Sequence, residues 1–77
     1  MKNIKLDEPN PGFINILDSE TNTFASWIDN WSELIIFDPN WEKIGLMEGN
    51  HTYIPMPSRE DLFRYFQEND MAIVENF

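Results

Sequence analysis

Phe24-Ala25-Ser26-Trp27-Ile28-Asp29-Asn30-Trp31 is the stretch on which the fold turns. Its large apolar residues, Phe24, Trp27, Ile28 and Trp31, stand at i, i+3, i+4 and i+7, and that spacing lines all four along one face of an α-helix. Ser26, Asp29 and Asn30 then occupy the opposite face, and Asn22 or Thr23 supplies the N-cap. A helix of about 8–9 residues is unstable alone in water. The aromatic stripe is therefore expected to dock on a sheet, with Trp27 and Trp31 both in the core.

The flanking segments supply that sheet. Upstream, Phe13-Ile14-Asn15-Ile16-Leu17 is short, apolar and partly β-branched, and predicts a strand. It is preceded by the turn Pro9-Asn10-Pro11-Gly12 and followed by a polar loop, residues 18–23, rich in helix-capping side chains. Residues 1–8 alternate weakly and read as a short strand or a frayed arm. Downstream, Leu34-Ile35-Ile36-Phe37 is an unbroken apolar run suited to a central strand covered on both faces. Asp38-Pro39-Asn40 opens a turn, and Ile44-Gly45-Leu46-Met47 is the expected return strand of a hairpin. After the turn Glu48-Gly49-Asn50 comes a third short strand, Thr52-Tyr53-Ile54, which Pro55 and Pro57 terminate.

Ser58 caps a second helix with Glu60 and Asp61 in its first turn and Leu62, Phe63 and Phe66 on its apolar face. That helix ends at Asn69 or Asp70, and Met71-Ala72-Ile73-Val74 reads as a final strand. The whole predicts one acidic α+β domain over residues 1–77, with an antiparallel or mixed sheet of about four to five short strands and two short helices.

Composition agrees with a small folded domain. Three Trp, six Phe and two Tyr compensate for an apolar fraction of 42%, since each buried aromatic removes roughly 150–250 Å² from water. High charge produces disorder when aromatics are few, and here they are many. The chain has no cysteine, which favours a reducing compartment. The first residues lack the apolar core of a signal peptide, and no apolar run reaches the roughly 18–20 residues that span a bilayer. These features predict a soluble, cytoplasmic protein that binds no membrane.

Residues that could carry chemistry are scarce. The single histidine, His51, lies in a turn beside Gly49 and Asn50 and reads as exposed. One histidine without cysteine supports neither a zinc site nor a catalytic grouping. Residues 18–22 and 38–42 offer oxygen ligands but lack the central Gly and closing Glu of a calcium loop. The three glycines are scattered, so no phosphate-cradling loop exists. The sequence predicts no cofactor, no metal and no enzymatic activity.

Charge is the more informative signal. Fourteen acidic residues face five cationic ones, a net charge of −9. Such a chain repels nucleic acid and anionic membranes and attracts basic surfaces, above all those of nucleic-acid-binding proteins. Glu60, Arg64 and Glu68, spaced by four, predict a self-neutralised helix face. Between Asp7 and Glu42, by contrast, stand eight acids and no Lys or Arg. This block predicts the partner-binding surface: Asp18, Glu20, Asp29, Glu33, Asp38 and Glu42, with Trp41 as an aromatic anchor in a hairpin loop.

A domain of this size spans roughly 30 Å, a length over which duplex DNA carries about 17–18 phosphates. The carboxylates approach that total but are divided among all faces, so one monomer offers about half the charge of DNA on one side, and a homodimer, or a target that needs only a short contact, would close the gap. Met71-Ala72-Ile73-Val74 could lie at a sheet edge and pair between chains, and a central position is equally allowed. In size, charge and lack of cysteine the chain is similar to the small acidic inhibitors that phages and mobile elements direct against host nucleic-acid machinery. The resemblance implies an inhibitor that competes with nucleic acid for a basic protein surface. The alternative is a non-enzymatic regulatory or adaptor module that binds through an exposed aromatic patch.

Overall fold

A computed structural model describes residues 1–39 and 51–77. The predicted return strand at residues 44–47, the turn at 48–50, Trp41 and Glu42 lie outside the described residues.

Among the described residues the fold is a six-stranded sheet, curled into a half-barrel, with one α-helix. The strands are β1 (Lys2–Asn10), β2 (Phe13–Ser19), β3 (Asn22–Ile28), β4 (Glu33–Ile36), β5 (Thr52–Pro55) and β6 (Met71–Ile73), and the helix is α1 (Arg59–Glu68). Their order across the sheet is β5-β4-β3-β2-β1-β6. Strands β1 to β5 form an antiparallel series, and β6 alone runs parallel to its neighbour β1. The mixed sheet and the single α+β domain agree with expectation. The strand count is higher than expected, and the first of the two predicted helices is absent.

That helix is replaced by strand β3 and a single 3-10 turn, Asp29–Trp31. The cause is a bulge. Thr23 lies opposite Leu17, and Ala25 lies opposite Ile16, so Phe24 is an extra residue in the ladder. The bulge shifts the two-residue alternation by one position. Phe24 then joins Trp27 and Ile28 in a spacing that mimics a helical face. Once the bulge is passed, the strand period is plain. Ala25 and Trp27 face the core, and Ser26 faces away, its hydroxyl donating to Asn15 Oδ1 at 2.7 Å. The polar segment predicted to cap a helix is instead the tight β2–β3 turn at Glu20-Thr21, with Ser19 paired to Asn22.

The core lies on the inner face of the curl. Ile4, Ile14, Ile16, Ala25, Trp27 and Leu34 project from the strands toward Met56, Leu62 and Phe66. Trp27 is the largest of these, 2% exposed, and its indole Nε1–H donates to the Met56 carbonyl at 2.8 Å. That bond ties β3 to the Pro-rich segment leading into α1. Leu34 and Ile35 point to opposite faces and are both buried, as a central strand requires, and β4 is flanked by β3 and β5.

Helix α1 begins as its sequence dictates. The Ser58 hydroxyl accepts the Asp61 N–H at 3.1 Å and donates to the Asp61 carboxylate at 2.9 Å, which satisfies one of the orphan donors of the first turn. Leu62 and Phe66, one helical turn apart, bury its inner face. The helix ends at Asn69, and Asp70 takes a left-handed backbone, φ +54°, that turns the chain into β6.

Two further expectations change. His51 is half-buried, not an exposed turn residue: its Nδ1 accepts the Asp38 N–H at 2.9 Å, and its ring meets Phe37 edge-on. Arg64 pairs with Asp61 at 2.8 Å, three residues away, where Glu60 and Glu68 were expected. Asp61 is held by the cap, which fixes its carboxylate within reach.

Candidate interaction surface

The antiparallel strands sort the acidic block to two ends of the sheet. Asp18 and Glu20, at the end of β2 and its turn, and Asp38, just past β4, belong to one end. Asp29 and Glu33, at the end of β3 and the start of β4, belong to the other, and so does Glu8 near the end of β1. Strand β3 separates the two sets by about 20 Å at ~3.3 Å per residue. The six predicted carboxylates are thus not one contiguous face. Glu42 and Trp41 lie outside the described residues.

At the first end, cations distant in sequence enter the block. Lys2 and Lys5 project from β1 toward β2, the neighbouring strand. Lys2 Nζ is 3.8 Å from Asp18 and 4.0 Å from the centre of the Phe24 ring, while Lys5 Nζ is 3.9 Å from Glu20. Asn22 also donates to Asp18 at 2.7 Å. Asp18 and Asp38 border an open cleft of about 430 Å³ between Phe24 and Phe37. The acidity of this end is therefore largely met within the molecule, although the pairs are exposed and individually weak.

The second end differs. Arg59 forks onto Glu8 through hydrogen bonds of 3.1 and 2.7 Å, and its guanidinium lies 5.7 Å from the centre of the Trp27 ring. Glu8 also accepts the Gly12 N–H at 2.9 Å. Arg59 chiefly, then the Gly12 N–H, hold the Glu8 carboxyl down to about 2, from an ordinary value of 4.5. The Glu8–Arg59 clamp pins the start of α1 to the β1–β2 hairpin. Asp29 and Glu33, beside it, form no ion pair among the described residues, although, after Glu8, the Asp29 charge helps to hold Arg59 protonated. Between them Trp31 is 62% exposed. It was expected in the core, but it sits in the 3-10 turn, which the Asp29 carbonyl closes by accepting the Ser32 N–H at 2.9 Å, with Ser32 in the left-handed region. The turn itself is seated on the β1–β2 hairpin. The Asp29 N–H donates to the Gly12 carbonyl at 2.9 Å, and Gly12, at φ +84°, has Asp29 packed where a Cβ would stand.

A loop indole with acids close by in sequence is what the sequence predicts at Trp41, and the structure presents one at Trp31, which its pseudo-helical spacing assigns to the core. The available signal was Asp29-Asn30 before Trp31 and Ser32 after it, three polar or turn-forming positions around one aromatic.

The clamp carries a pH dependence. A carboxyl held below its unfolded value stabilises the fold fully above about pH 4.5, and that contribution is lost as pH falls toward about 2. Glu8→Gln is accordingly expected to lower the thermal midpoint at pH 7, with the gap from wild type closing between pH 4.5 and 2. Thermal unfolding of both proteins across that range checks it, and a gap independent of pH would remove the ion pair from the account.

Among the described residues, no group of three or more His, Asp or Glu side chains gathers as a metal-ligand set. No described helix is long and apolar enough to cross a membrane. Comparison with known protein families, curated protein sequences and solved structures finds no match.

Proposed function

We propose that this protein acts by contact. It binds a basic surface on a nucleic-acid-binding partner protein, competes there with nucleic acid, and so inhibits the partner without catalysing a reaction. One observation carries the reading: Trp31 stands exposed on the turn that begins at Asp29 and leads into Glu33, and neither acid forms an ion pair among the described residues. The net charge of −9 steers a basic partner toward the molecule, and an aromatic side chain at the contact supplies the desolvated anchor that charge alone lacks. The proposal narrows the contact to one tip of the sheet, where an extended DNA-like face would need the two acidic ends together.

Capture from cell lysate on the tagged protein, washed in parallel at low and high salt, tests the reading. A basic partner held at low salt, released at high salt and displaced by added DNA or RNA is the expected result. The exposed aromatics Trp31 and Tyr53 also suit an adaptor that binds through an apolar patch. A neutral partner retained at both salt concentrations would favour that second reading.

A further inference from the structure

Among the described residues the sheet order ends at β5 on one side and at β6 on the other, and the two outer sides are built differently. At β5 the Met56 N–H donates to the Ser32 carbonyl at 2.7 Å, so the antiparallel alternation turns Tyr53 and Pro55 outward. Pro55 has no N–H to offer, and the edge is blunted. At β6 the Lys2 N–H donates to the Asp70 carbonyl and the Val74 N–H to the Ile4 carbonyl, both at 2.8 Å. Asp70, Ala72 and Val74 therefore face β1, and the N–H and C=O groups of Met71 and Ile73 face outward. Among the described residues nothing pairs with that side, because the sheet order ends at β6. The strand Met71-Ala72-Ile73 has no proline, charge or bulge to guard it, and Ile73 is 49% exposed.

We infer that the β6 edge is a docking site for an extended peptide segment of a partner, with an apolar or β-branched centre and a basic residue at each end. The edge supplies main-chain pairing, and its surroundings supply the charge preference. Asp70 and Glu75 bracket the strand; of the nearby cations, Lys2, opposite Met71 on β1, approaches Asp18, and Lys5, 5.6 Å from the centre of the Phe77 ring, approaches Glu20. An extended partner segment of six residues spans about 16–17 Å, enough to pair along Met71–Ile73 and carry a cation past each end of the strand toward Asp70 and Glu75. A second copy of this chain would bring the same carboxylates against them, and like charges facing each other across a ladder are unfavourable. The inference shares with the preceding proposal only the sign of the partner's charge. Its site lies on a different edge, and its test does not involve Trp31.

The probe is the capped hexapeptide acetyl-Lys-Thr-Val-Thr-Val-Lys-amide, titrated into the isotope-labelled protein and followed by backbone amide resonances and hydrogen exchange. The expected result is a shift and slowed exchange at the Met71 and Ile73 amides, with the β1-facing Ala72 and Val74 amides little changed. Ile73→Pro removes an outward donor while the Val74 bond to β1 remains, and is expected to weaken binding by at least about tenfold. Asp70→Asn with Glu75→Gln keeps the backbone and is expected to weaken binding about threefold or more and flatten its salt dependence.

No response at Met71 and Ile73 in millimolar peptide overturns the inference, as does undiminished binding in either β6 variant. Concentration-dependent protection of those amides in the protein alone overturns it too, by giving the edge to a second copy.

Discussion

Trp27→Ala is expected to abolish cooperative unfolding, leaving a largely unfolded population at 25 °C. Truncating a buried Phe or Trp costs roughly 3–5 kcal/mol. The Met56 carbonyl also loses the indole N–H at 2.8 Å, and an unsatisfied buried acceptor adds about 1–3 kcal/mol. Domains have stabilities of about 5–15 kcal/mol, and small ones stand at the lower end. The combined loss therefore matches most of what holds the fold together. Trp27→Phe separates the two contributions, because it retains most of the packing and loses the bond. It is expected to fold with a stability reduced by about 1–3 kcal/mol. Urea unfolding monitored by far-UV circular dichroism measures both. An alanine variant within about 1 kcal/mol of wild type would show that the inner face does not depend on this side chain.

The largest effect on binding is expected at the sheet tip. Trp31→Ala should weaken the captured partner's affinity by about 2 kcal/mol or more, roughly thirtyfold, if the indole is a contact hot spot. Asp29→Lys with Glu33→Lys should lower affinity at least about tenfold at low salt, chiefly through slower association, with the loss shrinking as salt rises. Asp18→Lys with Glu20→Lys makes the same change of net charge at the opposite end, where Lys2 and Lys5 already approach the carboxylates. Its effect should be severalfold smaller. Surface plasmon resonance at two salt concentrations resolves the three variants, with thermal midpoints confirming that each is folded. Equal losses from the two charge reversals would mean that the partner reads total charge, and the tip would lose its assignment.

The sequence was legible where local chemistry decides structure. The Phe13–Ser19 and Glu33–Ile36 strands, the Ser58 cap and the final short strand all follow from patterns within a few residues. It was illegible where one inserted residue changes the phase. With Phe24 bulged out of register, the strand Asn22–Ile28 presents a helical spacing, and the error passes on to Trp31 and hence to the candidate anchor. Charge suffered from distance in a different way. A scan for neighbouring residues finds no cation between Asp7 and Glu42, yet Lys2, Lys5 and Arg59 reach Asp18, Glu20 and Glu8 through strand pairing and helix placement. Which acids stay without an internal partner is a property of topology, and no local pattern reports it.

The parallel pairing of β1 with β6 also orders events in time. The meander from β1 to β4 closes through short turns, each with little loop entropy to overcome. Strand β1 then waits with one side open until the last strand returns from the far end of the chain. During synthesis that strand and much of α1 emerge late, so the nascent protein holds an incomplete sheet whose inner face is uncovered. The docking of α1 and β6 is the expected slow step of folding, and a chain stalled before it would expose Ile4, Ile14 and Ile16 to chaperones or to its own kind.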